Sequence, residues 1–168
     1  PSLLPQKNSP LTSLEKEALT SDFLKWKYRQ ITEQAVIEER FFRLCVDGKL
    51  TGVRDLVESN SYLINCRSKE GWSGIIISSF WQRFELVSYF LKLGANPNDV
   101  GLNGTTVLMY AKTKIVEQTE PDMSLLSLLI KSGANLRQKD KYGKDIFDYF
   151  NLADESQKAI VDYLKSCK

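Results

Sequence analysis

The residue types on which most enzyme chemistry depends are missing or unpaired in this sequence. It contains no histidine, which excludes serine–histidine and cysteine–histidine catalysis and removes the commonest zinc ligand. The cysteines, Cys45, Cys66 and Cys167, are odd in number and show no Cys-x-x-Cys spacing. The carboxylate pairs Glu38-Glu39 and Asp154-Glu155 are sequence neighbours, which do not face one another on a helix. The sequence therefore predicts no catalytic, metal or cofactor site, and we expect this segment not to be an enzyme.

Composition and charge are those of a globular domain that binds neither nucleic acid nor membrane. Apolar residues make up 42% and charged residues 26% of the chain, and the net charge is +2. No apolar run approaches the ~20 residues needed to span a bilayer, and the start of the chain lacks the pattern of a signal peptide. We expect a monomer in a cytoplasmic compartment. Because the chain begins with Pro1 rather than Met, we expect a fragment or a processed product.

The elements that would position any functional side chains are indicated by a recurring helix-stop signal. The tripeptide Gly-Ala-Asn occurs at 94–96 and 133–135, each time after an apolar helical stretch. Further glycines in turn contexts follow at Gly104 and Gly143, and Gly71 lies 33 residues before Gly104. Signals recurring at this spacing indicate stacked repeats. Such folds are more often surfaces for other molecules than catalysts.

At these positions the chain resembles the ankyrin-repeat family, in which a turn with a glycine leads into two antiparallel helices. Residues 68–99 match best, with Gly71 at the turn and the second-helix core positions at Phe84, Leu86, Val87, Phe90 and Leu91. The next copy begins at Gly101, where Gly104-Thr105-Thr106-Val107-Leu108 is close to the Gly-x-Thr-Pro-Leu of the family. Residues 38–67 resemble a degenerate opening copy, and the fourth copy runs from Asp140 to the end. The resemblance implies an all-α solenoid of about four repeats over residues 38–168.

Residues 1–37 are predicted to be a lead-in followed by N-terminal capping helices. Residues 1–10 are expected to be loose, and Thr12 to begin a short helix. Ser21 or Asp22 is expected to cap a second helix that runs toward Cys45. The simplest role for this region is to cover the end of the solenoid. The alternative is a peptide-binding or calmodulin-target-like helix, because Lys25, Lys27 and Arg29 alternate with Phe23, Trp26 and Tyr28.

The third repeat contains an insertion at 115–120, which a solenoid places in a loop on one face. Its second helix is expected to start at Pro121-Asp122, since proline suits a first helical turn. At the other end of the chain, Ala159, Ile160, Tyr163 and Leu164 form the inner stripe of a predicted terminal capping helix.

The ankyrin resemblance also implies a concave protein-binding face made of turn tips and first helices. Aromatic residues at such positions suit the energetic centre of an interface, and a lysine rim suits an acidic partner surface. Phe80 and Trp81 could instead pack against a neighbouring repeat or the N-terminal helices. The face positions are Lys69, Glu70, Trp72, Phe80, Trp81, Leu102, Asn103, Thr105, Thr113, Lys114, Lys141, Tyr142 and Lys144.

We therefore expect a protein–protein recognition module without a cofactor. Its degenerate repeats and His-free composition are also similar in general character to the C-terminal ankyrin region of OspC-type effectors, which enteric bacteria inject into host cells. That resemblance implies a cytoplasmic protein secreted into a host cell. The segment would then capture a host caspase for ADP-ribosyl transfer by a preceding catalytic domain. A spacer without any partner is the third possibility.

Overall fold

The described part of the protein, residues 13–167 of a computed structural model, is helical. Apart from one isolated bridge between Val100 and Thr106, these residues form helices, turns and loops, which confirms the all-α class. Two 3₁₀ helices, Ser61–Asn65 and Ile146–Tyr149, accompany the α-helices. The α-helices are α1 (Ser13–Asp47), α2 (Leu50–Ser59), α3 (Gly74–Phe80), α4 (Phe84–Lys92), α5 (Val107–Ile115), α6 (Ser124–Lys131) and α7 (Glu155–Ser166).

The chain divides into two compact units, Pro1–Val36 and Ile37–Lys168. The division falls inside α1, which is one continuous helix where the sequence analysis predicted two. Residues 13–47 contain neither glycine nor proline, so nothing interrupts the helix, and Ser21 and Asp22 lie inside it instead of capping a new one. The lead-in at 1–10 and the predicted helix start at Thr12 lie outside the described residues.

In the C-terminal unit the helices are arranged as pairs that pack side by side. Within the pairs, α3 packs on α4 and α5 packs on α6. Between the pairs, α3 contacts α5 and α4 contacts α6. Each pair therefore buries its apolar residues partly against its own partner helix and partly against the next pair, as repeats that have no separate core must do.

The core follows the predicted apolar positions closely in the second helices. Leu86, Val87 and Phe90 of α4 are buried, and so are Leu125, Leu126 and Leu129 of α6. Leu91 is half-buried. Phe84 was also expected in the core, but 45% of it is exposed. Phe84 is the first residue of α4, so it precedes the row of buried residues on this helix and lies at the helix end.

The turn glycines adopt the left-handed backbone conformation that their spacing predicts. Gly71, Gly104 and Gly143 have φ values of 73°, 72° and 74°, and Gly94 and Gly133 have 85° and 96°. Glycine adopts such φ values without steric strain, whereas most residues with a Cβ do not. The two Gly-Ala-Asn segments are therefore helix stops of the expected kind.

We predict that Gly94→Val and Gly133→Val each lower the free energy of unfolding by about 1–2 kcal/mol, the cost of a left-handed conformation for a side chain with a Cβ. No atom lies within 4 Å of a Cβ built at either glycine, so the loss comes from backbone strain alone. Denaturant melts of both variants measure it, with Gly94→Asn as the control because asparagine tolerates this conformation. Valine variants that melt like the parent would contradict the helix-stop assignment.

Helix α6 begins at Ser124, three residues after the predicted start at Pro121. Side chains of the loop explain the delay. The Asp122 carboxylate accepts a hydrogen bond from the Ser124 amide at 2.9 Å, and the Gln118 side chain accepts one from the Asp122 amide at 3.0 Å. These local bonds hold the backbone in a turn and compete with helix formation.

The last helix pair is incomplete, because the 3₁₀ helix Ile146–Tyr149 takes the place of a first α-helix. Helix α7 follows and buries Ile160, Val161 and Leu164. Ala159, predicted on the inner stripe, is exposed, and Val161 faces inward instead. The Asp154 side chain caps α7 by accepting hydrogen bonds from the Ser156 and Gln157 amides.

Candidate protein-binding surface

Four aromatic side chains from two neighbouring helix pairs meet in one group, which we call the aromatic cluster: Trp72, Phe80, Trp81 and Tyr110. The Trp72 ring lies 4.9 Å from Tyr110 and 5.5 Å from Phe80, centroid to centroid. Phe80 in turn contacts Trp81 at 5.3 Å, with the two rings nearly perpendicular at 88°. Edge-to-face pairs of this kind are favourable beyond the area that they bury.

Sequence reasoning missed Tyr110 as a member of this cluster. It lies on α5, next to the fully buried Ala111, and its ring reaches across to Trp72 on the preceding helix pair. Gly101 makes room for it, because a Cβ on Gly101 would lie 2.5 Å from the Tyr110 hydroxyl oxygen. A signal in the sequence could have predicted this contact: Tyr110 is an aromatic residue directly before Ala111, the small residue in the first helix of its pair.

The sequence analysis left open whether Phe80 and Trp81 are exposed on the binding face or pack against a neighbouring repeat. Packing describes Phe80, and exposure describes Trp81. Phe80 is half-buried between Trp72, Trp81 and Tyr110, so it packs against the neighbouring helix pair. Trp81 stands at the edge of the cluster and is 40% exposed. The cluster thus holds Trp81 in place and leaves much of its indole open to solvent.

The turn tips add further exposed apolar side chains. Leu102 is 77% exposed, although its side chain leans over Gly71, and Tyr142 at the next tip is also exposed. Neighbouring tips are joined by Asn103 and Lys141. The Lys141 amide donates to the Asn103 carbonyl at 3.0 Å, and the Lys141 ammonium donates to the Asn103 side chain.

The four lysines of the predicted rim differ in how far their charge is available. Lys114 pairs with Glu117 at 2.8 Å, and its Nζ lies 5.8 Å from the Phe80 ring. Lys141 is bonded to Asn103, and its Nζ lies 5.0 Å from the Tyr142 ring. Lys144 lies 5.3 Å from the Tyr149 ring, and Lys69 is exposed. Glu117 offsets Lys114, and the charges of Lys69 and Lys144 also interact with carboxylates, those of Glu70 and Asp140, so the rim keeps only a small positive excess.

Among the remaining predicted positions, Glu70 and Thr113 form local hydrogen bonds. The Glu70 carboxylate accepts one from the Ser68 hydroxyl at 2.8 Å, which is the main cause of its lowered pKa. The Thr113 hydroxyl donates to the Met109 carbonyl of its own helix at 3.1 Å. Thr105 is half-buried, and the next residue, Thr106, caps α5 by accepting a hydrogen bond from the Met109 amide at 3.3 Å.

The side chain of Asp140 holds the last turn tip in place through hydrogen bonds. Its carboxylate accepts hydrogen bonds from the amides of Tyr142 at 2.8 Å and Lys144 at 3.1 Å, and another from the Tyr149 hydroxyl. The bond from Tyr149 is the main cause of the lowered pKa of Asp140, and it raises the pKa of Tyr149 to about 12. At neutral pH the carboxylate is therefore ionised and the phenol neutral, the combination that this hydrogen bond requires.

The alternating aromatic and basic side chains of the N-terminal unit all lie at the surface of α1. Phe23, Trp26 and Tyr28 are exposed, as are Lys25, Lys27 and Arg29. The rings of Phe23 and Trp26 contact each other at 5.9 Å. Whether this helix binds a peptide-recognition protein stays a prediction.

Two of the three cysteines, Cys45 and Cys66, are placed where thiol chemistry is suppressed. Cys45 is fully buried, and burial raises the pKa of its thiol. Burial also raises the pKa of Cys66, to about 12, so both thiols are protonated at neutral pH and are poor nucleophiles. Within residues 13–167, no three histidine, cysteine or acidic side chains are grouped so that they could hold a metal ion. No helix in that range has both the length and the apolar character to cross a bilayer.

The chain is similar to a putative ankyrin repeat protein of Acanthamoeba polyphaga mimivirus. The two are 28% identical over 106 residues, which cover 56% of this chain and 18% of that relative. The chain thus corresponds to less than a fifth of the relative's length. No protein-family model matches the sequence. The similarity supports an ankyrin-like chain, whereas the protein partner, the host caspase and ADP-ribosyl transfer stay predictions.

Proposed function

We propose that residues 38–168 form a domain of ankyrin-type repeats that binds another protein through the aromatic cluster and the turn tips. The observation on which this mainly depends is the position of Trp81. Its ring is fixed edge-on against Phe80 and is still 40% exposed. An aromatic side chain that is already ordered loses little conformational entropy when a partner covers it.

The surroundings of Trp81 support the same function. Aromatic anchors with polar residues around them are the usual layout of a protein interface. The turn tips supply exposed Leu102 and Tyr142 for further apolar contact. Lys69 and Lys144 favour a partner with an acidic surface, chiefly by speeding association.

The arrangement of the helices explains how such a face can be built without a continuous sequence motif. Trp72 and Tyr110 belong to different helix pairs, and their rings meet only because α3 packs against α5. Asn103 and Lys141 fix the next pair of tips relative to each other. A partner would therefore contact a rigid surface assembled from residues that are far apart in the chain.

We predict that Trp81→Ala weakens binding of the partner by ~2 kcal/mol or more, a loss of about 30-fold in affinity. The same change should lower the free energy of unfolding by only about 1 kcal/mol, whereas loss of a core tryptophan costs ~3–5 kcal/mol. Partners are first captured with the parent protein and identified by mass spectrometry. Binding is then measured by titration with the purified partner, and stability by a denaturant melt of the same variant.

The matched control is Tyr62→Ala. Tyr62 has the same exposure of 40% but lies in the 3₁₀ helix Ser61–Asn65, away from the aromatic cluster in sequence and contacts. The Tyr62→Ala variant should bind the partner and resist denaturation about as well as the parent protein. If Trp81→Ala destabilises strongly and binds the partner normally once folded, the proposed surface is wrong and Trp81 belongs to the core.

A further inference from the structure

A second surface lies beside the turn between α3 and α4. It is a groove of about 290 Å³ between this turn and the inserted loop that leads into α6. Phe84 and Leu125 supply its apolar lining, and polar side chains supply the rest. The lining residues are Gln82, Phe84, Gln118, Asp122, Ser124 and Leu125.

The polar walls of the groove are held by hydrogen bonds. Gln82 has a left-handed backbone, with φ of 56°. Its side-chain amide donates to the carbonyls of Ser79 at 3.0 Å and Ala111 at 2.7 Å, so it ties α3 to α5. On the other wall, Gln118 and Asp122 are joined by the loop bonds that delay the start of α6. The groove is therefore present before any ligand arrives.

Phe84 is the apolar contact that this groove offers to a ligand. It occupies a position that the repeat pattern assigns to the core, and yet it is 45% exposed. Leu125 beside it is almost completely buried and acts as the floor. An inserted apolar side chain would cover both, which is the usual source of affinity in a shallow site.

The charge around the groove is negative. Asp122 lines the groove, Glu85 follows Phe84 in the chain, and the insertion at 115–120 carries Glu117 and Glu120. Of these, Glu117 is offset by Lys114. The nearby cation Arg83 donates its Nε to the Val46 carbonyl at 2.8 Å and keeps its charge, so it offsets only part of the three remaining carboxylates. Hydrogen bonds from Ser124 lower the pKa of Asp122, which keeps this carboxylate ionised at neutral pH.

We propose that this groove is a second docking site, for a cationic peptide segment that places one apolar side chain beside Phe84. The carboxylates of Glu85, Glu120 and Asp122 select a positively charged chain by charge complementarity. The apolar floor distinguishes a chain with a leucine-like residue from one that carries charge alone. Because this site is acidic and the turn tips are basic, its ligand differs in chemistry from the partner proposed for the aromatic cluster.

The test uses fluorescence anisotropy with three labelled synthetic peptides, which alternate lysine with leucine, lysine with serine, and glutamate with leucine. We expect saturable binding of the lysine–leucine peptide and at least about tenfold weaker binding of the other two. Phe84→Ser should weaken the lysine–leucine complex by about tenfold. Asp122→Asn keeps an oxygen that can accept a hydrogen bond from the Ser124 amide. This variant should weaken the complex with the lysine–leucine peptide by about threefold at low salt.

Leu152→Ser is the control, since Leu152 is a more exposed apolar residue than Phe84 and belongs to neither proposed surface. It should bind the peptide like the parent, and all variants should melt close to the parent. The proposal is overturned if the lysine–leucine peptide does not bind, or if the lysine–serine peptide binds equally well. It is also overturned if Leu152→Ser weakens binding as much as Phe84→Ser does.

Discussion

The Phe90→Ala variant is expected to lose about 3–5 kcal/mol of its free energy of unfolding, as large-to-small changes of buried aromatic residues do. Phe90 is 1% exposed and lies edge-to-face with Phe41 at 6.0 Å. It joins α4 to the C-terminal part of α1, so its removal leaves a cavity between two elements that hold each other in place. Urea denaturation followed by far-UV circular dichroism measures the loss.

Phe84→Ala provides the comparison on the same helix. Phe84 is also a phenylalanine of α4, but it is 45% exposed, and we expect its truncation to cost about 1 kcal/mol or less. The difference between the two variants isolates burial from residue type and helix propensity. Equal losses would show that the assignment of Phe84 to the surface is wrong.

Gly74→Ala is expected to destabilise the protein by about 2–3 kcal/mol, although alanine normally favours a helix over glycine by up to about 1 kcal/mol. A Cβ at Gly74 would lie 2.8 Å from the Cζ of Phe41 and 2.9 Å from the Cζ of Phe90. Both rings are buried, so neither can move aside without disturbing the core. Packing therefore outweighs helix propensity at this position.

Gly52→Ala tests the sign of that argument. Gly52 lies in the first turn of α2, where a Cβ would meet the methyl groups of Leu44 at 3.1 and 3.2 Å. Leu44 is half-buried and can shift, so we expect this variant to match the parent or to gain up to about 1 kcal/mol. If Gly74→Ala were as stable as Gly52→Ala, the close approach of α3 to Phe41 and Phe90 would be disproved.

The exposure of the candidate surface residues could be predicted in part, whereas their role in binding stays a prediction. The ankyrin resemblance placed Leu102 and Tyr142 at turn tips, and both are exposed. Trp81 and Phe80 were placed near the face by their position at the end of a first helix, but their unequal exposure depends on contacts with Trp72 and Tyr110. Phe84 was assigned inward by the resemblance to the ankyrin repeat, which does not show that this residue begins the helix. Ala159 was assigned inward as part of a predicted apolar stripe, but Val161 is the residue buried there.

Asn98 shows the limit of local reasoning. Asn96 bonds within its own loop, by accepting from the Asn98 amide at 2.9 Å. The Asn98 side chain instead crosses to the next helix stop, where it donates to the Gly133 carbonyl at 2.9 Å and accepts from the Asn135 amide. These partners lie 35 and 37 positions further along the chain. The sequence of one loop cannot identify them, because several loops present the same backbone groups.

By itself, the sequence determined which residues form turns, which helix faces are apolar, and that the chain lacks histidine chemistry. These properties depend on backbone conformations and spacings within a few residues, and Gly71, Gly94, Gly104, Gly133 and Gly143 express them directly. Tertiary structure alone decided that Tyr110 joins the aromatic cluster, that Phe84 opens onto a groove, and that Gly74 must lack a side chain. The physical reason is that each of these outcomes depends on the distance between helices of neighbouring pairs, which only their packing sets.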